Sequence, residues 1–155
     1  MPTHAERRVL PYTPHEMFEL VAAIDRYPEF LPWCVASRVT KREGDVVWAD
    51  MVIGFRLFRE RIASRVTLDR PKLCIDVAYD HGPLRHLDNH WRFEAHGDGQ
   101  CLVDFHVDFS FRSRLLQLAV ETLFNEAVRR MVGAFESRAL ALYGPRSSPP
   151  RLNAN

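Results

Sequence analysis

His86 and His90 stand four residues apart, the spacing at which two imidazoles on one helix share a metal ion. Their segment, however, alternates. Leu87, Asn89, Trp91 and Phe93 oppose His86, Asp88, His90, Arg92 and Glu94, which is the period of a strand. On a strand the two rings lie about 13 Å apart, at roughly 3.3 Å per residue, and do not share a cation. Asp104, His106 and Asp108 also fall on one face of an alternating segment. Their plain reading is a solvated row across a hairpin, in which Arg92 faces Asp104 and His90 faces His106. Glu60 belongs to an inward series with Phe58, Ile62, Ser64 and Val66. A carboxylate there needs a partner or a polar cavity. With a raised pKa it can offer a proton to a carbonyl; the alternative is an edge position where the strand leaves the core. Asn89 is inward too, and donates either to a ligand or to backbone. Arg85, beside a Gly-Pro turn, is suited to lipid phosphate, to a partner, or simply to water. Ser37, Ser64, Ser110 and Ser113 belong to no nucleophile motif, and there is no phosphate-cradling glycine loop. The chain reads as non-catalytic, with no metal and no catalytic cofactor.

The elements that position these groups follow from periodicity and breakers. Ala5 to Leu10 is a short strand. Thr13-Pro14-His15-Glu16 announces a helix with a capping box, and Met17, Leu20, Val21 and Ile24 form its apolar face. Tyr27-Pro28 ends that helix, with one further turn within Asp25 to Leu31. The stretch Tyr27-Pro28-Glu29-Phe30-Leu31-Pro32-Trp33-Cys34 is stiff and aromatic, suited to a cavity wall or to a corner capping the core. From Val35 the period is two. Val46 to Ile53 is a strand that Gly54 breaks. Phe58 to Leu68 is a strand with Arg59, Arg61 and Arg65 on its outer face, and Leu73 to Tyr79 alternates again. His81-Gly82-Pro83 and His96-Gly97-Asp98-Gly99-Gln100 are turns. Cys101, Val103, Phe105, Val107, Phe109 and Phe111 point inward, and Leu102, Asp104, His106, Asp108 and Ser110 outward. Ser113 to Leu142 is one long helix whose face carries Leu116, Val120, Leu123, Ala127, Met131, Ala134 and Phe135.

These elements give an α+β fold, a curved antiparallel sheet around a long C-terminal helix. One domain spans residues 1–144, and residues 145–155 form a disordered tail. Basic and acidic residues number 21 and 20, a balance that offers nothing to DNA. Three widely spaced cysteines fit a reducing compartment. Neither a signal peptide nor a membrane-spanning run is present, so the expected location is cytoplasmic, with peripheral contact at an inner membrane left open.

Four segments in order carry a resemblance: Tyr27 to Cys34 (YPEFLPWC), Gly82 to Phe93 (GPLRHLDNHWRF), Asp108 to Leu116 (DFSFRSRLL) and Met131 to Ala139 (MVGAFESRA). Together they resemble the coenzyme Q-binding START-domain family, also called polyketide cyclase/dehydrase-like, over about residues 3 to 143. RatA-type ribosome-association toxins belong to the same family. The resemblance implies a START-like helix-grip fold that binds ubiquinone or another polyprenyl lipid, in support of respiration or quinone biosynthesis, and that meets a membrane surface transiently. It equally implies a second partner, a ribosomal subunit; a cyclase is the third reading. Candidate tunnel walls are Phe58, Trp91, Phe93, Phe105, Phe109, Leu123, Met131 and Phe135. Tyr27, Phe30, Leu31, Pro32 and Trp33 are the candidate mouth, with Glu60 and Asn89 as polar contacts. Every apolar member of this set fits an ordinary core as well.

Overall fold

Thr13 starts the first helix as the sequence predicts. Its hydroxyl accepts the Glu16 N–H at 3.1 Å, and the Glu16 carboxylate accepts the Thr13 N–H at 2.9 Å. A computed structural model describes residues 3–55 and 58–146, apart from the side chains of residues 3, 55, 58 and 122–125. Two of the expected wall residues, Phe58 and Leu123, have side chains outside that description, as does the expected tail from residue 147 onward.

The elements are β1 (Thr3–Leu10), α1 (Pro14–Ala22), a 3-10 helix (Ile24–Glu29), β2 (Cys34–Glu43), β3 (Val46–Phe55), β4 (Phe58–Asp69), β5 (Cys74–His81), β6 (Leu84–Ala95), β7 (Cys101–Phe111) and α2 (Arg114–Tyr143). All seven strands form one antiparallel sheet in the order β1-β7-β6-β5-β4-β3-β2. From β2 to β7 each strand pairs with its chain neighbour, because short turns allow nothing else. β1 closes the order beside β7. Edge strand β2 is bulged twice, between Cys34 and Ala36 and between Val39 and Lys41. The α+β helix-grip architecture is therefore the one expected.

Two local expectations are corrected. Gly54 does not break its strand; β3 runs on to Phe55. Its missing side chain serves proximity instead, since a Cβ there would lie 2.6 Å from Val35 Cγ2. The Gly54 N–H donates to the Trp33 carbonyl at 3.0 Å, which ties the aromatic corner to the sheet. Ser110 sits in the outward series, yet it is 4% exposed and lies 3.2 Å from His86 Nδ1.

The core gathers α1, the 3-10 helix and the C-terminal half of α2 over one end of the sheet. Phe18 meets Phe93 edge-on at 6.0 Å, and Trp91 meets Phe105 at 4.5 Å and Phe135 at 5.1 Å. Centroid distances of 4.5–7 Å in tilted geometries are those that aromatic pairs favour. Val128, Phe135 and Ala139 are the buried positions of this half of α2.

Candidate functional site

Beneath the N-terminal half of α2 the packing opens. Alternation along β7 points Val107, Phe109 and Phe111 at the helix, and β3 presents Met51 and Ile53 from across the curved sheet. The helix answers with Leu116, Ala119, Val120, Ala127, Val128 and Met131, most of them too short to fill the gap. The result is an outer chamber of about 260 Å³, walled also by Leu31, Pro32, Trp33, Cys34 and Glu60. A second chamber of about 240 Å³ lies deeper, against Tyr27, Ser64, Val77, Asn89, Trp91, Phe105 and Phe135. Seven residues line both chambers: Leu31, Met51, Ile53, Val107, Phe109, Phe111 and Met131. Sheet and helix thus enclose two neighbouring compartments that share these wall residues.

The lining is almost wholly apolar. Glu60 is the one charged residue in it, and among the described residues nothing donates to or pairs with its carboxylate. Asn89 borders the inner chamber with both ends of its amide engaged. Its Nδ2 donates to the His106 carbonyl at 2.8 Å, and its Oδ1 accepts the Trp91 indole N–H at 3.2 Å. Tyr27 donates its hydroxyl to the Val21 carbonyl at the end of α1. Burial holds that phenol far above its ordinary pKa, with Cys34 adding to the effect. Burial likewise pushes the Cys34 thiol up to about 11, so it stays protonated in the wall of the outer chamber.

The mouth lies between the Leu31–Trp33 corner and the start of α2. Pro32 is exposed there; Leu115 and Leu118, on α2 outside the chamber lining, and Val35 at the start of β2 are exposed as well. Arg130 stands 5.9 Å over the Trp33 ring. Among the described residues no helix is long and apolar enough to cross a membrane.

The structure brings most of the sequence-predicted residues to this hollow and disperses the rest. Leu31, Phe109 and Met131 border both chambers, Pro32, Trp33 and Glu60 the outer one, and Tyr27, Asn89, Trp91, Phe105 and Phe135 the inner one. Phe30 and Phe93 border neither: Phe30 packs on Phe135 at 5.3 Å, and Phe93 belongs to the core beside Phe18. Met51, Ile53, Ala119 and Val120 are wall residues that the sequence reading did not single out. The signal for the last two was available in their small size on the apolar face of a long helix.

Residues 10–136 match the family model described as polyketide cyclase/dehydrase and lipid transport. The chain is 34% identical over 145 residues to a Pseudomonas aeruginosa protein named ribosome association toxin RatA, covering 93% of this chain and all of that one. It is 32% identical over 149 residues to the Xenopus laevis protein named mitochondrial coenzyme Q-binding protein COQ10 homolog B, covering 94% of this chain and 61% of that one. Among solved structures, the 18 kDa protein CC1736 of Caulobacter crescentus superposes with a TM-score of 0.76 at 38% identity, covering 94% of this chain and all of that one.

Proposed function

The chain belongs to the polyketide cyclase/dehydrase and lipid-transport family, and we propose that it is a non-catalytic carrier of ubiquinone or a related polyprenyl lipid. The observation that carries this reading is the two-chambered hollow, whose walls are apolar save for Glu60, Ser64, Asn89 and the phenol of Tyr27. A polyprenyl tail in water is costly, and each methylene buried is worth about 0.8 kcal/mol. The inner chamber offers hydrogen-bond donors in Ser64 and the remaining N–H of Asn89, which suit a quinone carbonyl. The outer chamber suits the tail, with polarizable Met131 and Met51 adapting to its shape. The exposed Leu115 and Leu118 on the outer side of α2 suit contact with a lipid surface. A lining so poor in paired polar groups supports binding over chemistry.

The test is lipid extraction and mass spectrometry of protein purified from its native host, beside Phe109→Asp and Met131→Glu variants. The expected outcome is stoichiometric polyprenyl quinone in the native protein and none in either variant, with far-UV circular dichroism unchanged. An empty native protein that also takes up no added quinone would defeat the reading.

A second reading, association with a ribosomal subunit, is favoured by the full-length similarity to the Pseudomonas protein and its printed name. Arg59, Arg61 and Arg65 are exposed along β4, and Arg38, Lys41 and Arg42 belong to β2 close by. Sedimentation with purified subunits at rising salt distinguishes it: binding through this strip weakens steeply with salt and with Arg61→Glu, whereas quinone content is unchanged.

A further inference from the structure

We propose that Asp88, His90 and His106, on the sheet face opposite the hollow, form a binding site for a divalent transition cation of the Zn²⁺ class. The reading of that face as a solvated row gave Asp104 a partner in Arg92 but none to Asp88 or Asp108. In the structure His90 and His106 are directly paired across β6 and β7, as their positions predict, and their rings stack at 5.9 Å. Asp88 is two residues from His90 on the same face of β6. One ligand atom from each of the three lies within 4.8 Å of the others. Tetrahedral Zn²⁺ with bonds of roughly 2.0–2.1 Å needs its ligands somewhat closer together, and side-chain rotation on an open sheet face supplies that.

Two further observations point to a cation rather than to scattered surface charge. Asp76, on β5 directly beside His90, has its Oδ1 2.5 Å from His90 Nδ1. A carboxylate on one imidazole nitrogen is the usual support for a metal on the other. Here the other nitrogen, Nε2, lies 2.8 Å from Asp88 Oδ1. A cation bound there takes the place of the proton between them, and that proton leaves to solvent. The second observation is a contrast in partners. Elsewhere on this sheet Arg7 answers Asp104, and Arg38 and Arg61 answer Asp50. Among the described residues Asp76, Asp88 and Asp108 contact no Arg or Lys and are met only by imidazoles. Asp108, paired with Asp88 in the strand register, has a buried Oδ1 that forms no hydrogen bond, with His86 Nε2 3.5 Å away. Arg92, two residues along β6 from His90 on the same face, is the nearest cationic position; it pairs in register with Asp104 and forms no ion pair with Asp76, Asp88 or Asp108 among the described residues.

The ligand set of two imidazoles and a carboxylate selects Zn²⁺, Co²⁺ or Ni²⁺ over Mg²⁺ and Ca²⁺, which prefer all-oxygen shells. A cation held there would cross-link β6 to β7, with Asp76 drawing in β5. The site is separate from the lipid hollow, so either proposal can fail alone.

The experiment uses the untagged full chain. Zn²⁺ is titrated by calorimetry, and in parallel the histidine ring resonances are followed by NMR. The expected result is one Zn²⁺ per chain, shifts confined to His90 and His106 among the seven histidines, and no shift with Mg²⁺ at equal concentration. His90→Ala and His106→Ala each weaken binding at least about tenfold, while the control His81→Ala leaves it unchanged. Absence of saturable Zn²⁺ uptake, or uptake that moves other histidine rings and survives both substitutions, would overturn the proposal. The ring shifts are read in the unsubstituted protein, so a misfolded variant does not spare it.

Discussion

The two halves of α2 do opposite things. From Val132 to Tyr143 the helix is anchored, although Phe135 also walls the inner chamber. Phe135 packs among Tyr27, Phe30 and Trp91, and Ala139 is fully buried. Arg8 pairs with Glu136 at 2.9 Å and Arg138 with Glu29 at 2.7 Å. Tyr143 donates to the Glu16 carbonyl at 2.9 Å, and Tyr12 donates to the Gly144 carbonyl at 3.1 Å. The N-terminal half is held mainly at its start. Ser113 caps it, and the Gln117 side chain accepts the Phe111 N–H at 2.7 Å. Beyond that, among the described residues, it turns Ala119, Val120 and Ala127 toward the hollow and Leu115 and Leu118 outward. One continuous helix thus spends its packing energy at one end and keeps space at the other. Stability and capacity are assigned to different stretches of the same element.

Substitutions can break or sharpen that division. Phe135→Ala removes the hub of the anchored half and is expected to cost about 3–5 kcal/mol, read as a lowered midpoint in urea unfolding. Ala139→Leu forces volume into a filled site and is expected to cost about 1–3 kcal/mol in the same assay. Val120→Trp adds more volume than that, but into the outer chamber. It should leave the unfolding free energy within about 1 kcal/mol and eliminate quinone uptake. Equal destabilisation by Ala139→Leu and Val120→Trp would erase the contrast. Glu16→Gln probes the anchored end through pH. The Arg146 guanidinium, with help from the Thr13 N–H, holds the Glu16 carboxyl down at about 2. A depressed carboxyl contributes stability above its unfolded pKa of about 4.3 and loses it as pH falls toward 2. The unsubstituted protein should therefore lose stability across that window more steeply than the Gln variant, as followed by acid titration of circular dichroism. Leu115→Ser, on the outer side of the free half, is expected to shift stability by no more than about 0.5 kcal/mol. Its effect should appear instead in slower quinone loading from vesicles.

Much of this division is invisible in sequence, for a physical reason. Apolar periodicity reports which face of an element is turned from water, not what it meets there. It placed β7 correctly except at Ser110, including the pairings of Arg92 with Asp104 and His90 with His106. It also put Phe93 and Phe109 on one face, yet Phe93 faces α1 and lies in the core, whereas Phe109 faces a void. Phe93 is on β6 and Phe109 on β7, and the difference comes from which helix lies above each part of the sheet. Phe30 fails as a mouth residue because the 3-10 helix turns it back onto Phe135. The sequence reading had a further turn within Asp25 to Leu31, and the helix found there runs from Ile24 to Glu29 with Pro28 inside it. Gly54 and Ser110 depart for a similar reason: backbone approach and cross-strand hydrogen bonding are tertiary facts without a periodic signature. What sequence did make legible was chemistry that is local, such as the Thr13–Glu16 cap and the inward direction of Asn89 and Glu60; that Asn89 bonds to backbone, and that Glu60 walls an apolar chamber, needed the structure.

The two bulges in β2 bear on how such a protein survives at high concentration. A sheet with free edges offers unpaired N–H and C=O groups to any neighbouring chain, and a hollow interior leaves less packing to resist partial opening. Irregular spacing along β2 spoils the register that a second strand would need. Arg38, Lys41 and Arg42 along the same strand repel a copy approaching edge to edge. Self-association into extended sheets is thereby disfavoured at the strand most open to it, and straightening either bulge is the change most apt to turn a dispersed protein into an aggregating one.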